Sequence, residues 1–278
     1  GGNIVGSTGI LSENKGSGFT FIETDSNVTG TSADGINALH QSSTSTKDLT
    51  VIQSGGSITG QRAGIFNQND GGGSTIIQTA GTVEGKLDHG IYVSNSATTQ
   101  DLNISQTSGS ISGGSYGVYA QNKGSGSTNI ITVSNVKGIS LDGIYAENST
   151  TSKDIRVIQS GGSVEGNTTG IYISNQGVDA STIIQTTGDV KGLSNNGIGI
   201  NVVNAPNTKD INITQSGGSI TANSDSIYAR NSGNGSTTIT TDGNIMAGLS
   251  GAGGYGIFAE NKFNTQGLTI IQHAGSIT

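Results

Sequence analysis

The chain has 278 residues, 47 of them glycine, with 4% aromatics, 11% charged residues and no cysteine. A formal net charge of −7, from 12 basic against 19 acidic residues, argues against a surface that tracks nucleic-acid phosphates. The missing cysteines exclude a disulfide framework and thiolate metal centres, and no apolar stretch approaches the roughly 20 residues that span a bilayer as a helix.

Low charge and short alternating runs of Ile and Val point to strands rather than disorder. The chain opens inside one repeat unit and stops inside another, as expected of a piece excised or processed from something longer. Taken in chain order, a "GI"-type strand begins at Gly9, Gly35, Gly64, Gly90, Gly117, Gly143, Gly170, Gly197, Ser226 and Gly256, a spacing of 26 to 30 residues. Five residues on stand Asn14, His40, Asn69, Asn95, Asn122, Asn148, Asn175, Val202, Asn231 and Asn261. A second phrase recurs in each unit, as in "VIQSGGSITG" from Val51 and "IIQTAGTVEG" from Ile76. Aligned on it, Gln53, Gln78, Gln106, Gln159, Gln185, Gln215 and Gln272 form a column, with Glu23, Ile131 and Thr240 in the other units. Each unit reads long strand, Gly corner, short strand, Gly corner, "GIYAEN" strand, polar loop.

Side chains in a strand alternate between faces. In Gly143–Asn148, Ile144, Ala146 and Asn148 share the inner side, while Tyr145 and Glu147 point outward. One unit cannot bury its apolar face alone, but stacked units can. The expected fold is an all-β, single-stranded parallel β-helix of about ten rungs, running as one continuous domain over 1–278. Stacking brings the Asn and Gln columns into register, and their amides are expected to bond up and down the stack. A finer period shows in Asp48, Asp101, Asp154 and Asp210, which recur every 53 to 56 residues and predict two alternating loop types.

Chemistry is sparse. "GGSYG" around Ser115 matches a nucleophile elbow, and Gly251–Gly256 matches a dinucleotide fingerprint. Both motifs require a following helix, and none is expected. No catalytic residue, metal site or cofactor is assigned. His40, His89 and His273 read as exposed loop or rung-end residues. Asp34, Asp88 and Asp142 precede alternate "GI" strands and read as solvated loop acids, although two-rung spacing would let such carboxylates bridge a sugar.

One outward column stands out: Phe66, Tyr92, Tyr119, Tyr145, Tyr172, Tyr228 and Phe258 hold seven of the twelve aromatics, interrupted at Asn37 and Gly199. It is either a mutually stacked packing feature or an exposed partner-binding stripe. An Ile column (Ile52, Ile77, Ile158, Ile184, Ile271) reads as a second apolar stripe or as a surface covered by a loop.

With "QSGGSITG" (Gln53–Gly60), the "GIYAEN"-like rungs, Gly corners and Ser/Thr/Asn loops, the whole chain resembles passenger domains of bacterial autotransporters (type V secretion). Within that family it looks most like Bartonella passengers, including those of the secreted angiogenic-factor type. The resemblance implies a right-handed helix, export through the outer membrane and a secreted or cell-surface location. It further implies a non-enzymatic virulence factor that binds host cells, as a ligand of a growth-factor-type receptor or as an adhesin. The expected partners are a host cell-surface receptor or matrix protein, with self-association possible, no nucleic acid and no membrane insertion of this segment. The alternative is a carbohydrate-active β-helix enzyme, a polysaccharide lyase or hydrolase.

Overall fold

A computed structural model describes residues 2–249, 251, 253–262 and 265–278. It is a parallel β-solenoid whose described strands form three ten-stranded sheets, each strand hydrogen-bonded to its counterparts one rung before and after. Each rung runs through a short strand (sheet A), the "GI" strand (sheet B) and the long strand (sheet C); rung 6, for example, comprises Val136–Gly138, Ile144–Asn148 and Ile155–Gln159. Rungs are numbered 1 to 10 from Ile4 to Gln272.

The core is a set of aliphatic columns. Sheet A contributes Val83, Ile111, Val136 and Val164, sheet B contributes Ile91, Val118, Ile144 and Ile171, and sheet C contributes Ile77, Ile104, Ile130 and Val157, all buried. Glycine ends most short strands because the corner leaves no room for a side chain. A Cβ on Gly60 or Gly166 would collide with the carbonyl oxygen of Ala63 or Thr169 in the same corner.

The two-rung period has a physical basis. Even rungs 2 to 8 end sheet C on a buried Gln, and odd rungs 3 to 9 end it on a buried Thr: Gln53 pairs with Thr79, and Gln106 with both Thr79 and Thr132. Each such Gln donates through Nε2 to the carbonyl of a corner glycine three residues on, as Gln53 does to Gly56 at 3.1 Å and Gln159 to Gly162 at 3.2 Å. Those glycines (Gly56, Gly109, Gly162, Gly218) adopt positive φ of 62–71°, which glycine tolerates without steric cost. The Asp of each even-rung loop caps the next rung: Asp48, Asp101, Asp154 and Asp210 accept the backbone N–H of Ser74, Ser127, Ser181 and Ser236 at 2.7–2.8 Å.

Four expectations about columns are corrected. Gln78 and Gln185 are exposed and pair with Ile52 and Ile158, while Thr79 and Thr186 take the inner place. Ile77 and Ile184 accordingly lie in the core, and Ile52, Ile158 and Ile271 face outward with Ile131. In rung 8 the pairing is Gly199-based: Ile171 pairs with Ile200 and Asn175 with Asn204, so Asn204 rather than Val202 continues the Asn column. The buried amides do not form a direct ladder. Asn69, Asn122, Asn175 and Asn231 accept the backbone N–H two residues on, at 2.9–3.1 Å. Asn95, Asn148, Asn204 and Asn261 instead accept the hydroxyl of Thr75, Thr128, Thr182 and Thr237 from the preceding rung, at 2.6–2.7 Å. The short amide side chain finds nearer partners in its own loop than in the next amide, and a Thr hydroxyl bridges the gap on alternate rungs.

Candidate functional site: an aromatic stack on the outer face of sheet B

The parallel register sets side chains at the same strand position one above another, about 4.7–4.9 Å apart. On the outer face of sheet B this stacks Phe66, Tyr92, Tyr119, Tyr145 and Tyr172, with ring centroids 4.7, 5.2, 4.8 and 5.1 Å apart and interplanar angles of 0–7°. Tyr228 and Phe258 stack separately at 4.9 Å. All seven sequence-assigned residues are therefore on one column, and each ring is half-buried. The break between the two stacks lies at Asn201, which pairs with both Tyr172 and Tyr228, and not at Gly199. Asn37 does pair with Phe66, as expected.

Residues in the A–B corner close one side of the stack, a contribution that pattern reading missed. His89 packs edge-on to Tyr92 and Tyr119 and stacks on Tyr116 at 5.3 Å, and Tyr116 in turn meets Tyr119 and Tyr145 edge-on. Beyond Phe66, whose other face is taken by Tyr92, the Arg62 guanidinium sits 4.9 Å from the ring centre. Arg62 is anchored on the fully buried Asp34, which also accepts from Asn37 Nδ2 at 2.8 Å. A cation thus caps the stack where the aromatic column stops.

The corner acids and His89 are not the solvated groups that the sequence suggested, and His40, at a rung end as expected, is fully buried. Asp34 and Asp142 are buried, and Asp88 is half-buried and paired with His89 at 2.8 Å. They precede or end a "GI" strand, where the tight corner folds their side chains onto the sheet. His273 is exposed and contacts Asp242. Burial pushes the Asp142 carboxyl up to about 6, against hydrogen bonds from Thr169 that favour its charged form. Burial lowers the His89 imidazole despite the opposing charge of Asp88. Burial first, then the Glu147 charge, raises the Tyr119 phenol to about 12 and raises Tyr145 as well. Tyr119 and Tyr145 are therefore neutral hydrogen-bonding groups at physiological pH, and Tyr145 Oη donates to Glu147 at 3.3 Å.

The remaining enzyme-like strings lie on strands and corners. Ser115 sits between Ile111–Gly113 and Val118–Asn122, and Gly251–Gly256 is followed by the strand Ile257–Asn261, with Ala252 outside the described residues. Among the described residues no group of three or more His, Asp or Glu is placed to hold a metal ion. A depression of about 180 Å³ beside the stack, lined by Gln121, Lys123, Glu147, Ser149 and Gln176, is smaller than the ~300–1,000 Å³ of typical small-molecule sites. Depressions of about 430 and 390 Å³ lie on polar loops around Asp210 and Asp25, on other parts of the rod. The A–B corners of alternate rungs expose aliphatic side chains, Leu87, Ile139, Leu141, Leu193 and Leu249.

Neither a family model, nor a curated protein, nor a solved structure matches this chain.

Proposed function

We propose that this chain is a non-enzymatic binding rod, a secreted or cell-surface virulence factor of the autotransporter-passenger type that engages a host receptor or matrix protein. The observation that carries the reading is the pre-stacked aromatic column on the outer face of sheet B. Aromatic side chains already fixed by their neighbours lose little conformational entropy on docking, and Tyr is a favoured hot-spot residue. An extended surface without a deep cleft suits a macromolecule better than a small substrate. Two of the acids that a sugar-cleaving solenoid would need are engaged by neighbours: Asp34 by Arg62 and Asp88 by His89.

The experiment is a cross-linking capture of mammalian cell-surface proteins by the purified chain, run beside a polysaccharide panel assayed for new reducing ends or unsaturated products. Saturable capture of a defined surface protein with no sugar cleavage is the expected result. Cleavage that disappears in Asp142→Ala would replace the binding reading with the carbohydrate-active one.

A further inference from the structure

Every even rung from 4 to 10 places an Asn where a Thr hydroxyl of the preceding rung donates to it: Thr75 to Asn95, Thr128 to Asn148, Thr182 to Asn204 and Thr237 to Asn261. Rung 2 breaks the series. Its residue at that position is His40, in register with Asn14 below and Asn69 above, and the Thr that should serve it is Thr20. His40 is 0% exposed, and neither of its ring nitrogens has a hydrogen-bond partner; the Thr20 hydroxyl has none either. Its ring lies against the backbone of Gly71, where an added Cβ would meet Cε1 and Nε2 at 3.4 Å. On the next rung the inward Asn67, also fully buried, leaves both amide atoms unpartnered.

We infer that His40 is an acid-sensitive lock, whose protonation opens the strands packed around it while distant rungs stay closed. This goes beyond the binding role and does not depend on it. A buried imidazolium needs acceptors for two N–H groups, and in the closed rung neither ring nitrogen of His40 has a protein partner. The inward positions of the strands packed around it (Ile10–Asn14, Thr20–Thr24, Leu49–Gln53 and Ile65–Asn69) carry no ionisable side chain. The one charged group acting on it is Asp70, on the loop after rung 3, whose attraction for the cation is outweighed by burial, so the imidazole lies below its ordinary range.

The sign follows from linkage. The open state protonates near 6.5 and the closed state lower, so stability is complete above about pH 6.5 and falls as pH drops through that value. At pH 5.0 the open-to-closed ratio rises by at most about 30-fold relative to pH 7.5, the full factor for 1.5 pH units. Hydrogen exchange of the whole chain, corrected for intrinsic rates, should show this rise in Ile10–Asn14, Thr20–Thr24, Ile36–His40 and Leu49–Gln53, and none in Val118–Asn122 or Ile144–Asn148. His40→Asn, which restores the series, should abolish it. An equal rise in that variant, or no rise in the wild type, overturns the proposal. An NMR titration of the wild-type imidazole decides independently of whether the variant folds: His40 should stay neutral below pH 6, and an ordinary midpoint near 6.5 with full amide protection would contradict the lock.

Discussion

Replacing Asn148 by Leu tests the inward amide column where its contacts are best defined. Asn148 is 0% exposed, donates through Nδ2 to the Lys153 carbonyl at 2.6 Å and the Asp154 carbonyl at 3.3 Å, and accepts the Thr128 hydroxyl at 2.6 Å. Leucine satisfies none of these. The Thr128 hydroxyl and the Lys153 carbonyl would be stranded, at about 1–3 kcal/mol each, and the loop after rung 6 would lose its tether. Added burial of leucine carbons, about 1 kcal/mol, offsets part of that. The net expectation is a loss of roughly 1–5 kcal/mol, read as a fall in melting temperature of about 2–20 °C at 2–4 °C per kcal/mol. Glu147→Leu is the control: Glu147 is half-buried, faces outward and accepts from Gln121 Nε2 at 3.0 Å, so its loss should cost no more than about 1 kcal/mol. Thermal melts followed by circular dichroism near 218 nm would measure both. Equal melting temperatures would refute the assignment of Asn148 to a structural hydrogen-bond network.

Asp142→Asn should stabilise the solenoid at pH 7.5 by about 1–3 kcal/mol, since an acid held near pH 6 instead of its ordinary 3.8 costs stability once ionised. Because its folded value is raised, the wild type should lose stability as pH climbs from about 4 to 6, and urea titrations of the variant should lack that slope. Gly166→Ala should destabilise strongly, by several kcal/mol, because its Cβ would overlap the Thr169 carbonyl in a corner that backbone atoms fill; an unchanged urea midpoint would show that the corner can relax. Arg62→Ala should cost about 3–5 kcal/mol by leaving the buried Asp34 charge unpaired, and Asp34→Asn in the same chain should recover part of it.

The solenoid was legible because its signal is repeated in every rung: alternating Ile and Val set the faces, and the "GI" spacing set the length of a rung. What failed were alignments by word rather than by face. "IIQT" was matched to "VIQS" on its Gln, yet Thr75 and Thr79, four residues apart, are the two polar ends of an inward stripe around Ile77. Similarly, "GIGINVVN" offers two "GI"-like starts, and only the later one carries Ile200, Val202 and Asn204 inward together. Burial of the corner acids was not legible. Asp34 and Asp142 look like loop residues in any window, and only the register brings Arg62 or Thr169 from the next rung onto them. The seven aromatics of the column were legible, but its break at Asn201 reads from the sequence as Gly199. The corner partners His89 and Tyr116 and the Arg62 cap were not legible, since they reach it from outside the strand.

The central claim, that the aromatic stack is the partner-binding surface, is tested most directly by host-cell binding of the double variant Tyr119→Ser/Tyr145→Ser. The two changes remove three stacked pairs, worth about 0.2–1 kcal/mol each, so the fold should persist with its strand signature intact. Titrated on cultured endothelial cells beside the loop variants Lys153→Ala and Asp154→Ala, the double variant should bind at least about 10-fold more weakly, a loss of about 1.4 kcal/mol, while the loop variants stay within about twofold. A folded double variant that binds as the wild type does would contradict the account and leave the stack with a packing role alone.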